Sequence, residues 1–120
     1  MTGTERRKRR SEDPLVALHY QLADIKEAMD LELLVLAEAS GLVLAGAGAW
    51  ALCEEIAAYA PLLADAPAAT PRLKLLRSEL VLKPLEVGGQ RLYLCARGKG
   101  SLGDAMDHAA TGVSRILEAA

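Results

Sequence analysis

The chain has 120 residues, 52% of them apolar, with one Trp, three Tyr and no Phe. That is enough for one modest core of Leu, Ala and Val, and too apolar for a disordered chain. The formal charge is −2, but residues 1–13 carry five basic and three acidic groups, which leaves the remainder with nine and thirteen and a charge of about −4. An acidic body argues against nucleic acid as the main ligand.

Residues 1–13 have almost no apolar content and hold the block Arg6, Arg7, Lys8, Arg9 and Arg10. A solvated basic arm is expected, able to meet anionic surfaces by counterion release. It runs into Ser11-Glu12-Asp13, not an apolar segment, so no signal peptide is expected. The longest uncharged run, Ala39 to Cys53, is too short and too rich in glycine to span a bilayer, so no membrane insertion is expected either, and the expected location is the cytoplasm.

Asp13 before Pro14 predicts a helix start, with a carboxylate to cap and a proline pre-set for the first turn. Leu15, Leu18, Leu22, Ile25 and Met29 recur at helical spacing, which predicts an amphipathic helix over 14–29 with Gln21, Asp24 and Lys26 outward. The apolar runs Leu33–Leu36 and Leu42–Ala45, either side of Glu38-Ala39-Ser40-Gly41, predict a hairpin, and Gly46-Ala47-Gly48 ends its second strand.

From Ala49 to Leu63 the residues favour helix. Leu52, Cys53, Ile56, Tyr59, Ala60 and Leu63 form one apolar stripe, while the opposite face holds Trp50, Ala51, Ala58 and Leu62 beside Glu54 and Glu55. That second face is too apolar for plain solvent, and a partner is expected to cover it. The residues 64–71, ADAPAATP, predict a loop. Leu73-Lys74-Leu75-Leu76, Leu80–Lys83 and Leu85–Val87 are strand-like, with Pro84 marking an edge or bulge, and Gly88-Gly89 turns the chain into a strand over Gln90–Ala96. Ser101 with Asp104 resembles a capping box for a last helix whose stripe is Leu102, Ala105, Met106, Ala109, Val113, Ile116 and Leu117, with Gly112 inside it permitting close approach of another backbone.

The fold class is therefore α+β, in the order α-β-β-α-β-β-β-α. A single antiparallel sheet of about five strands is sandwiched between helices, the two terminal ones on one face and the middle one on the other. Residues 14–120 form this domain and 1–13 the arm.

The segments LVLAEASGLVLAGAG and WALCEEIAAYAPLL and the closing LYLCARGKGSLGDAMDHAATGVSRILEA give a pattern that resembles the roadblock/LC7 family of small GTPase regulators and dynein light chains. The resemblance implies a profilin- and longin-like fold and a homodimer, or a pair with a related chain, joined through the middle helices and third strands. It also implies presentation of that pair to a Ras-like GTPase. Residues near 49–63 and 72–82 would then form the seam, adding Leu73 and Leu75 to Trp50, Ala51, Glu54, Glu55, Ala58 and Leu62. Glu38 stands at the family's acidic first-turn position, and the arm is not a family feature.

No catalytic constellation emerges, and no cofactor or metal is expected. Gly46-Ala47-Gly48-Ala49-Trp50-Ala51 matches a dinucleotide-binding glycine pattern, but its strand closes a hairpin, and Asp65 lies in the Ala/Pro stretch instead of ending a strand. A small-ligand or nucleotide sensor built on that turn is one alternative function, and an adaptor docking through the basic arm is another. Gly98-Lys99-Gly100-Ser101 lacks the phosphate-loop spacing but would suit a weak anion site at a helix N-terminus. Cys53 and Cys95 have no metal-spaced neighbours and read as buried hydrophobes in a reducing compartment. His19 and His108 flank apolar stripes, and Glu54 and Glu55 diverge by about 100° on a helix and cannot act as one acid/base pair.

Overall fold

A computed structural model describes residues 13–65, 71, 74–75, 79–99 and 102–119. Its elements are α1 (Pro14–Ala28), β1 (Leu31–Glu38), β2 (Val43–Ala47), α2 (Trp50–Asp65), β3 (Val81–Val87), β4 (Gln90–Gly98) and α3 (Leu102–Ala119). The four strands form one antiparallel sheet in the order β2-β1-β4-β3.

The α+β class holds, with four strands among the described residues instead of about five. The lost strand is the one expected at 73–76: Lys74 and Leu75 are helical, as is Pro71, which the loop over 64–71 was to include. A run of Leu and Lys suits a helix as well as a strand, and too short a run cannot tell the two periods apart. The expected strands Leu80–Lys83 and Leu85–Val87 merge, less Leu80, into β3, which Pro84 joins without breaking because β3 is an outer strand. The start of the expected loop also moves, since α2 runs on through Ala64 and Asp65. Residues 1–12 of the arm, residues 66–70, Leu73, Leu76, Gly100 and Ser101, the expected cap, lie outside the described residues.

Local signals set most boundaries. The Asp13 carboxylate accepts from the Leu15 and Val16 N–H groups, at 3.1 and 3.4 Å, and caps α1. In the hairpin turn the Gly41 N–H donates to the Glu38 carbonyl and the Glu38 N–H to the Leu42 carbonyl, both at 2.9 Å. Gly41 takes φ +89°, a conformation that glycine adopts without strain. Its backbone lies against Ala57 and Ala58 of α2.

Both faces of the sheet are covered. On one side Leu34, Leu36, Leu92, Leu94 and Ala96 pack under α1 and α3, which contribute Leu18, Leu22, Ile25, Met106, Ala109 and Val113. On the other, Leu33, Val35, Ala37, Tyr93 and Cys95 pack under α2 through Cys53, Ile56, Ala57, Ala60 and Leu63. The expected placement of terminal and middle helices is the one found. Two expected core positions of α1 are not core: Leu15 and Met29, at the ends of its stripe, are 45% and 38% exposed. Gly112 of α3 meets the Gln21 side chain of α1, so the close approach it permits is to a side chain and not to a backbone.

Leu36 is fully buried and Leu42, six residues on, is 64% exposed. Leu36→Ala should lower the unfolding free energy by about 3 kcal/mol in urea titration, whereas Leu42→Ala should change it by less than about 0.5 kcal/mol.

Candidate functional site

The far side of α2 is the most distinctive surface. Burial of Cys53, Ile56, Ala57, Ala60 and Leu63 against the sheet turns Ala51, Glu54, Ala58 and Leu62 outward, at spacings of three and four residues that align them on one stripe. Trp50, at the first turn, is 49% exposed and Leu62 is 51% exposed. Both are large apolar groups on a helix with no basic residue in its last turn. Glu55 is half-buried at the margin, and Leu75, also on the predicted seam, is exposed on its helical segment. Of the predicted interface residues, then, Ala51, Glu54, Ala58 and Leu62 share one face, Trp50 caps its end, and Leu73 lies outside the described residues.

A contact that sequence reasoning missed holds Trp50. His19 of α1 lies with its ring centroid 6.0 Å from that of the indole, the planes inclined by 38°. Its Nδ1 is 3.3 Å from the Gly46 carbonyl oxygen and 3.4 Å from the Gly46 nitrogen. His19 and Gly46 are 27 residues apart, and nothing local in either segment announces the pairing. His108 is exposed in a separate cleft with Asp24, Ile25 and Met29, so the two histidines do not share a site. No group of three or more potential metal ligands occurs among the described residues.

The glycines of the Gly46–Gly48 turn have packing reasons. A Cβ on Gly46 would lie 3.2 Å from Cys53 Sγ, and one on Gly48, at φ +118°, would lie 3.0 Å from the Glu32 carbonyl oxygen. The concavity beside them is lined by Ala23, Lys26, Glu27, Asp30 and Leu31, one cation against two carboxylates, a poor complement to a pyrophosphate. At the other end of the expected anion turn, Gly98 packs on Leu31 and Glu32, while Gly100 and Ser101 are outside the described residues.

Cys53 and Cys95 are free and buried in the same cluster under α2. Burial, and then the neighbouring Glu54 carboxylate, push the Cys53 thiol up from its ordinary value. The Sγ points to the Ala47 carbonyl at 3.9 Å. Arg97 spans two carboxylates, Glu32 of β1 at 3.3 Å and Glu79 at 3.6 Å, which ties the start of β1 to the residues before β3. No helix of the described residues is long and apolar enough to cross a membrane.

A four-stranded antiparallel sheet between two terminal helices and one middle helix is an α+β arrangement similar to that of roadblock/LC7-type proteins. Solved structures of MglB share it. The chain is 25% identical to the gliding protein MglB of Thermus thermophilus, with a TM-score of 0.58 over 89% of this chain and 93% of that one. It is also 25% identical to an MglB in a tetrameric arrangement, with a TM-score of 0.57 over 88% and 90% of the two chains. With Myxococcus xanthus MglB the identity is 16% and the TM-score 0.57 over 87% and 90%, a likeness of fold alone. No family model and no curated protein matches the sequence.

Two outcomes check the packing. Gly48→Ala should cost about 2 kcal/mol of stability, by strain at a positive φ and by crowding of Glu32, as measured by chemical denaturation. A raised thiol pKa leaves less thiolate at a given pH, so iodoacetamide should label Cys53 more slowly in the folded chain than in urea; equal rates would contradict the burial.

Proposed function

We propose that this chain is a non-enzymatic regulatory module that works as a homodimer on a Ras-like small GTPase. The observation that carries this reading is the outward stripe Ala51, Glu54, Ala58 and Leu62 on α2, a mostly apolar surface that the chain's own sheet does not cover. Small residues at Ala51 and Ala58 would let a second α2 come close, Leu62 would be buried between the two, and Trp50 with Glu54 would remain at the rim for the GTPase. Further support comes from MglB, a GTPase-activating protein of the roadblock/LC7 family that is similar to this chain over most of its length, and known in a tetrameric arrangement.

The chemistry of α2 limits what such a contact can do. The helix, WALCEEIAAYAPLLAD, has no Arg or Lys, so it supplies no cationic side chain to the charge that develops in phosphoryl transfer. An effect on hydrolysis would come from positioning the GTPase's own residues. The outer strand β3 would extend the seam, with Pro84 costing it one backbone donor. The basic residues 6–10 would add a salt-sensitive contact to an acidic partner surface, with the cytoplasm as the place of work.

Light scattering decides the first part. The wild type should have the mass of a dimer at micromolar concentration. Ala58→Arg should weaken self-association by roughly a hundredfold or more, since it places an unpaired charge in an apolar seam, and should leave the circular dichroism unchanged. The same variant should lose capture of a Ras-like GTPase. A wild type that stays monomeric at about a hundred micromolar would overturn the reading.

A further inference from the structure

β2 is one of the two outer strands of the sheet, and an outer strand offers a row of peptide groups onto which another extended chain can add. On β2 that row is short. Both peptide groups of Gly46 lie within reach of His19 Nδ1, so they point away from β1. Alternation along an antiparallel strand then turns those of Ala45 and Ala47, paired with Leu36 and Leu34, towards β1. One step back the pairing slips: Leu36 faces Ala45 while Ala37 faces Val43, which leaves Leu44 as the extra residue of a bulge. Gly46 is the regular outward-facing position of β2, and an imidazole stands on it.

We propose that His19 is an edge guard, which closes β2 to strand addition by a second copy of this chain. With its proton on Nε2, the ring accepts from the Gly46 N–H at Nδ1; with the proton on Nδ1, it donates to the Gly46 carbonyl. The first tautomer is the one the guard uses: it occupies the Gly46 N–H, and the ring fills the space of about 4.8 Å beside the strand that an incoming backbone needs. The ring is not free to swing away. Leu18 and Leu22 on either side of it are fully buried and fix the rotation of α1, and the Trp50 indole packs against it from α2. Three elements thus converge on one peptide group. The physical reason for such a device is closure: a chain that associates through one surface and keeps a second adhesive edge grows without limit, whereas a capped edge stops the assembly at a finite size. The inference does not depend on the GTPase reading, because β2 is the other edge of the sheet from β3 and the size of the assembly is read without a GTPase.

The test compares wild type, His19→Ala and His19→Asn by light scattering over a concentration series, with infrared detection of intermolecular β structure. His19→Ala should form larger species that grow with concentration and carry the intermolecular β signal. His19→Asn, whose amide can still accept from and donate to Gly46, should keep the wild-type mass. In the wild type itself, amide exchange followed by NMR should show the Gly46 N–H slowed by about tenfold or more relative to an unprotected glycine. The proposal is overturned if His19→Ala keeps the wild-type mass at every concentration. If His19→Ala does not fold, a Gly46 amide in the wild type that exchanges at the unprotected rate overturns it instead.

Discussion

The structure depends on burying both faces of β1. Leu33, Val35 and Ala37 point to one side and Leu34 and Leu36 to the other, and all five are without solvent exposure. A strand that is apolar on both faces cannot sit at the surface of a half-open sheet; it has to be central and roofed twice. β4 flanks it with the same character, Tyr93 and Cys95 facing one side and Leu92, Leu94 and Ala96 the other. Once these two strands are the middle of the sheet, β2 and β3 are its edges.

The two roofs are unequal, and the inequality has functional consequences. α1 and α3 share one face and pack against each other at Gln21 and Gly112, so each hides part of the other. Of α1, α2 and α3, α2 is the one packed on the second face, and one helix can bury only one side of itself. Its far side consequently remains outward while carrying Trp50, Ala51, Ala58 and Leu62. The surface read as a partner site is thus a by-product of the layer arrangement, one helix against two, combined with an α2 sequence that never became polar.

Much of this was legible in the sequence. Asp13-Pro14 announced the start of α1, the apolar runs around Glu38–Gly41 announced the hairpin, and the three- and four-residue spacing of Cys53, Ile56, Ala60 and Leu63 separated the buried side of α2 from the exposed one. The resemblance to the roadblock/LC7 family rested on these same stretches and is met in the MglB structures. The segment 73–76 misled because Leu-Lys-Leu-Leu is too short to show a period, and Lys74 and Leu75 turned out helical. Leu15 and Met29 misled for a different reason: they fit the stripe of α1 but lie at its two ends, where they stay exposed.

Local chemistry by itself determined the helices and strands with caps, turns and clear periods, the acidic charge of the body, and the excess of apolar residues on α2, because each of these is a property of residues near one another in the chain. Only the tertiary structure showed that Gly46 and Gly48 are crowded by Cys53 and the Glu32 carbonyl, and that His19 and not His108 meets the edge of the sheet. It also decided which strands are edges. Those facts are made by contacts between different elements, and no local pattern can encode a neighbour that arrives only when the layers close.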